Sequence, residues 1–240
     1  MPYRRLPNTD SARIRAMKSA LENGKNIHPF ELAYSQSLYV RLKSFFPAFE
    51  AAVKEQRIAL KVQANNNKEF LKLAKKAQMY ISHFIQVLNL AILREELPEK
   101  IRPLYGLKLK DKKVPSLASE EEIIAVGKKI IEGEEIRTRQ GGTPLLNPKI
   151  AMVKLHFERF LDAYHHQKIL KENSARAHEK VAKLRTESDR LILEIWNEVE
   201  EHFGKFEAQT KRNYCQKYGI VYVYRKNERS KTKNVLQMSA

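Results

Sequence analysis

Apolar residues recur along this chain at helical spacing over long stretches. Leu38, Leu42, Phe45, Phe49 and Val53 follow one another at four, three, four and four residues, which lines them along one helix face. Phe70, Ala74, Ala77, Ile81, Phe84, Leu88 and Ile92 carry a second stripe to about Glu95. A third stripe is Val153, Phe157, Leu161 and Tyr164. The fourth is Val181, Leu184, Leu191, Ile195, Val199 and Phe203, with Ser188 in the expected gap. Asn65-Asn66-Asn67 predicts a turn between the first two stripes. Asn173-Ser174 predicts the corresponding turn in the second pair, with Thr186 to Asp189 as the alternative. Two long antiparallel helical hairpins follow, with helices spanning about 40–50 Å at the usual rise.

Local signals punctuate these stripes. Thr9 is an N-cap for a short helix running through Leu21, with Ile14, Met17 and Leu21 on one face and Asn23-Gly24 at its end. Pro29 suits the first turn of the next helix, Pro47 should kink it, and Pro98 should close the hairpin. Ser119-x-x-Glu122 is a capping box for a second short helix through Ile131. Gly133 to Asn147 reads as a loop, and Pro148 starts the counterpart long helix. Leu107 to Lys110 alternates as a short strand would. Ile220 to Tyr224 is the stronger strand candidate, and the two could pair as a ribbon joining the halves. Met1 to Pro7 reads as a loose basic arm and Arg225 to Ala240 as a disordered polar tail.

The landmarks repeat. Tyr105-Gly106-Leu107 closes one half and Tyr218-Gly219-Ile220 the other. Ile14, Lys18, Leu21 and Glu22 are echoed by Ile124, Lys128, Ile131 and Glu132, and His28-Pro29 by Asn147-Pro148. The expectation is a mainly α, internally duplicated (αααβ)×2 chain. Its four long helices would form a four-helix bundle, because an isolated hairpin cannot bury its apolar face. The repeats would be 1–113 and 114–226, followed by a basic tail at 227–240.

Composition adds one strong fact. The net charge is +17 and the pI near 9.8, an excess that draws polyanions and says nothing about fold. The single cysteine, Cys215, excludes an intrachain disulfide framework. No apolar core follows Arg4-Arg5, and the most apolar run, Phe84 to Leu93, is broken by Gln86 and Asn89. A cytoplasmic protein is expected.

The positive charge clusters at the expected hairpin tips. Lys54, Arg57, Lys61, Lys68, Lys72, Lys75 and Lys76 flank the first, with Glu55 and Glu69 against them. Lys168, Lys171, Arg176, Lys180, Lys183 and Arg185 surround the second, more diluted by acids. Arg225, Lys226 and Arg229 follow the tyrosines of the last strand, where aromatic rings can stack bases while the charges hold phosphates. Against this stands the ordinary solvated helix face. Glu158, Asp162, His165, Glu198 and His202 are a candidate metal cluster, but they lack the Glu and Glu-x-x-His pattern of carboxylate-bridged bundles. No phosphate-binding glycine loop or catalytic triad ordering stands out.

The opening Met1-Pro2-Tyr3-Arg4-Arg5-Leu6-Pro7-Asn8-Thr9-Asp10 resembles the start of an uncharacterised group of bacterial helical proteins. The resemblance implies a bacterial cytoplasmic protein and carries no activity or site. The leading expectation is a non-enzymatic, cofactor-free scaffold that binds a polyanion, foremost nucleic acid, through the tips and tail. The competing one is a protein–protein adaptor or self-associating bundle, motivated by wide apolar faces such as Phe45-Phe46 and Ile195-Trp196. An enzyme ranks third.

Overall fold

The computed structural model describes residues 2–25 and 27–225. It is mainly helical with one small antiparallel sheet. The helices are α1 (Asp10–Lys25), α2 (Gln36–Leu93), α3 (Glu120–Arg139), α4 (Ile150–His202) and α5 (Ala208–Lys217). Short 3₁₀ segments lie at Pro29–Glu31 and Glu99–Tyr105, and the strands are β1 (Tyr3–Arg4) and β2 (Tyr222–Val223).

The N-caps read from sequence form, whereas α1 runs on through Asn23-Gly24, its expected end, to Lys25. Thr9 Oγ1 accepts from the Ala12 N–H at 3.2 Å, which satisfies an orphan donor in the first turn of α1. At α3, the Glu122 N–H donates to Ser119 Oγ at 3.2 Å, and the Glu122 carboxylate accepts the Ser119 N–H at 3.0 Å. This is the reciprocal capping box. Hydrogen bonds from the Ser119 N–H, the Ser116 hydroxyl and the Ala118 N–H hold the Glu122 carboxyl below its usual pKa.

Neither hairpin turn forms. α2 runs unbroken through Pro47 and through Asn65-Asn66-Asn67, and α4 runs unbroken through Asn173-Ser174 and through Thr186 to Asp189. Asparagine in a helix costs only a few tenths of a kcal/mol, and here its side chains are used. Asn66 Nδ2 donates to Gln167 Oε1 at 2.8 Å, and Gln167 Nε2 donates to Asn67 Oδ1 at 3.3 Å. The Ser174 hydroxyl donates to Gln63 Oε1 at 2.5 Å. α2 ends only at Leu93, where Glu95 takes a left-handed conformation at φ 63° before Pro98.

The strand expected at Leu107 to Lys110 is also absent. Arg102 is buried, and its guanidinium gathers the carbonyls of Lys108 and Asp111 together with Asn89 Oδ1. With those carbonyls turned to the guanidinium, no ladder forms there. The partner of β2 is β1, in the register Tyr3↔Val223 and Arg4↔Tyr222. The basic arm is therefore structured: Arg4 donates to Asn197 and Glu200, both at 2.9 Å. The expected loop after Gly133 is helix as far as Arg139. Gly133 sits so close to the preceding 3₁₀ segment that a Cβ would lie 2.7 Å from the Leu104 carbonyl oxygen.

The chain divides into two compact units, Met1–Ile58 with Ala175–Ala240, and Ala59–Ser174. The expected repeat boundary at 113/114 falls inside the second. Unit 1 packs α1, the first part of α2, the last part of α4 and α5 around Met17, Leu42, Phe49, Ile195, Trp196 and Cys215. Ile195 and Trp196 are thus core, not an exposed face. Here α2 and α4 run antiparallel, with Arg41 paired to Glu187 and Glu194 and Gln56 meeting His178. Unit 2 packs the rest of α2, the 3₁₀ segment, α3 and the first part of α4 around Phe70, Ile81, Phe84, Leu88, Tyr105, Ile130 and Phe160.

Two turns are alike in detail. Gly106 has φ 69° and Gly219 φ 85°, a region open to glycine. The Gly106 N–H donates to the Pro103 carbonyl and the Leu107 N–H to that of Arg102. The Gly219 N–H donates to Gln216 and the Ile220 N–H to Cys215. In both turns the preceding tyrosine and the following aliphatic residue are buried.

Candidate polyanion-binding face

In unit 2, Lys61, Lys68, Lys72, Lys75 and Lys76 lie on α2 at offsets of 7, 11, 14 and 15 residues from the first. At 3.6 residues per turn these positions share one face. Phe70, Ala77, Ile81 and Phe84 occupy the opposite, buried face. The cause is local: the core takes one side of the helix, and the long cationic side chains keep their charge in water on the other. All five lysines are exposed. Lys61 to Lys76 span about 22 Å of helix.

The face is weakly neutralised. Glu69 is the one acid between Ala59 and Leu93, and it contacts Lys72 at 3.5 Å with both side chains exposed. Such a pair is worth little. Among the described residues, no acid lies within ion-pairing distance of Lys61, Lys68, Lys75 or Lys76. At the edge of the face, His156 is buried with its ring 4.3 Å from that of Tyr80. Burial first, then the charges of Lys76 and Arg159, hold its pKa below the ordinary histidine value.

The remaining cationic candidates are scattered or engaged. Lys168 and Lys171 are on α4 in the same unit, among Glu158, Asp162 and Glu172. Lys171 lines a groove of about 290 Å³ with Leu60, Gln63, Asn67 and Gln167. In unit 1, Lys54 and Arg57 are exposed on α2, and Arg57 donates to the Ser11 hydroxyl at 2.6 Å. Lys180 pairs with Glu55 and Lys183 with Glu179, both at 2.8 Å. Arg176 is exposed on α4, and the Arg225 guanidinium lies 6.0 Å from the Tyr3 ring centre. None of these sits at a hairpin tip, since no tip forms. Lys226 and Arg229 lie outside the described residues.

The metal candidates do not gather. Glu158, Asp162 and His165 belong to unit 2, and Glu198 and His202 to unit 1. Glu198 instead accepts the Ser35 N–H at 2.6 Å. Among the described residues, no three His, Cys, Asp or Glu side chains form a metal-holding group, and no helix is long and apolar enough to cross a membrane.

Sequence reading missed a buried polar network in unit 2. Glu134 is fully buried and Arg137 nearly so. Arg137 Nη2 donates to Glu134 Oε1 at 2.7 Å and Nε to Oε2 at 3.0 Å. The Tyr105 hydroxyl also donates to Glu134, and the Leu145 N–H does so at 2.9 Å. Burial alone pushes the Glu134 pKa up, but these donors outweigh it and leave it below the usual glutamate value. Burial and the neighbouring carboxylate push the Tyr105 phenol up. Every carboxylate oxygen is engaged, so the network ties the 3₁₀ segment to α3. The i, i+3 spacing of Glu134 and Arg137 was its one sequence signal.

No family model, curated protein or solved structure matches this chain.

Proposed function

We propose that the protein is a helical scaffold that binds nucleic acid through its phosphate backbone, using the lysine face of α2 in unit 2. The observation that carries the reading is the row Lys61, Lys68, Lys72, Lys75 and Lys76, opposite the core, with Glu69 the one acid on that stretch of α2. Its reach of about 22 Å matches six or so base-pair rises of 3.4 Å. Lysines act as point charges, so the contact is sequence-independent. The test is binding to DNA and RNA oligonucleotides across a salt series. Replacing Lys61, Lys68, Lys75 and Lys76 by Gln should weaken binding to all sequences and lower the salt slope by about one per lysine. Stability should stay within about 0.5 kcal/mol, because the side chains are exposed. An unchanged slope removes this face from the reading.

An internal duplication belongs to the same reading. The matched Tyr-Gly turns support it. So do the buried positions Phe70, Ala77, Ile81, Phe84, Ile85 and Leu88, each with a buried counterpart 111 residues on: Val181, Ser188, Ile192, Ile195, Trp196 and Val199. On this view each unit is a small bundle of four helical segments, two from each repeat.

A second reading, a protein–protein adaptor, is favoured by one observation. Leu60, Val62, Leu71 and Met79 in unit 2 are 45–54% exposed. A chain that remains monomeric by light scattering at high concentration would remove its self-association form.

A further inference from the structure

Unit 1 holds a pocket of about 450 Å³ bounded by the N-terminal arm, α1 and the Tyr218-Gly219 turn. Arg5 and Arg15 both line it. Among the described residues neither guanidinium has an acidic partner or a hydrogen-bond acceptor, and no acidic side chain lines the wall. This differs from the other arginines of α1 and the arm, since Arg13 is held by Asp189 and Arg4 by Glu200.

Trp196, the sole tryptophan of the chain, also lines the pocket. It is 1% exposed, yet its indole N–H donates to no acceptor among the described residues. Buried indoles usually find one. The one fully enclosed side-chain polar atom without a partner among the described residues is Arg212 Nε. The Trp196 Nε1 is therefore not sealed in, and this pocket is one that Trp196 lines. The Ser19 hydroxyl and the Gln216 amide add neutral donors on the same wall.

The geometry points to a binding site for a small phosphomonoester. Two uncommitted guanidinium groups supply a charge of +2, which a phosphate dianion neutralises and a single carboxylate does not. The guanidinium fork suits tetrahedral oxyanions, and the indole N–H and Ser19 hydroxyl can satisfy the remaining lone pairs. Leu6 and Ile220 offer apolar wall to the organic body of the ligand. The volume lies in the range of small-molecule sites. The lysine face of α2 shares no residue with this pocket, and the two proposals stand or fall separately.

The sole tryptophan gives a direct reporter. In ¹⁵N-labelled full-length protein, the single indole N–H resonance is followed while phenyl phosphate, inorganic phosphate or benzoate is added at constant ionic strength. A saturable downfield shift with phenyl phosphate is expected, with benzoate at least roughly tenfold weaker. Arg5→Gln and Arg15→Gln should each weaken phenyl phosphate binding by roughly tenfold or more, while Lys205→Gln, at an exposed position away from the pocket, should not. Both arginines are exposed, so these variants keep the fold, and an unchanged far-UV circular dichroism melt of the free protein verifies it. No saturable shift, or equal shifts in the arginine variants, overturns the site. Benzoate binding as tightly as phenyl phosphate overturns the phosphate assignment.

Discussion

Replacing Glu134 by Ala should destabilise the protein by about 3–5 kcal/mol, the usual cost of removing one partner of a buried ion pair. The number follows from what is left behind. Arg137, 5% exposed, would keep its charge with only the Tyr105 oxygen and the Thr143 carbonyl as acceptors. The Tyr105 hydroxyl and the Leu145 N–H would lose the oxygens they donate to. Glu134→Gln keeps one acceptor oxygen and should cost less, about 1–3 kcal/mol. Glu134→Leu combined with Arg137→Met removes both charges and should recover much of the loss. Urea unfolding followed by far-UV circular dichroism measures all three. The pH dependence has a definite sign. Because the folded pKa of Glu134 lies below its unfolded value, its contribution is complete above about pH 4.3 and is lost as pH falls through the folded pKa. That slope should vanish in Glu134→Gln. A cost below about 1 kcal/mol for Glu134→Ala, or a double variant as unstable as the single one, would refute the enclosed pair.

Two further outcomes follow from local geometry. Gly219→Ala should cost more than the roughly 1–2 kcal/mol of a left-handed residue, because its Cβ would sit 2.9 Å from the Ala16 Cα. Gly141→Ala, at φ 88° with open space around it, should cost only that conformational amount, and thermal melts of the pair would separate the two effects. Cys215 is fully buried, and its thiol pKa is pushed up, chiefly by burial. A thiol reagent should therefore modify it slowly in native protein and rapidly in denaturant, whereas native labelling at the rate of a free thiol would contradict its place in the core.

What was legible in the sequence was local or periodic. Thr9 and Ser119 cap as their side-chain chemistry requires, and the apolar stripes from Leu38 and from Phe70 line buried faces. The Tyr-Gly turns drew attention as sequence and proved alike in hydrogen bonding. What was not legible depended on distant partners. Leu107 to Lys110 alternates like a strand, but the guanidinium of Arg102 takes the carbonyl of Lys108 and that of Asp111 just beyond it. β1 lies in an arm with no strand signal, and it forms because β2 needs an edge partner and Arg4 can reach Glu200. The lysine face was visible as a cluster. Its assignment to a hairpin tip failed with the hairpin.

The hairpin failed for a reason that generalises. Counting only apolar residues, the stripe on α2 breaks between Val53 and Phe70, and Asn65-Asn66-Asn67 in the gap has the composition of a turn. Counting interior polar residues as well, Ala52, Gln56, Gln63, Asn66, Phe70 and Ala77 follow at four, seven, three, four and seven residues, which keeps one helical phase throughout. On α4 the same holds for Phe160, Gln167, Ser174, Ala177 and Val181. These polar side chains are satisfied by partners on the facing helix: Gln56 by His178, Gln63 by Ser174, and Asn66 by Gln167. A turn and a satisfied polar seam therefore look alike in composition and differ in phase. A true turn resets the phase of the stripe that follows it, and a seam preserves it. Phase carried through polar positions is what marks α2 and α4 as continuous helices.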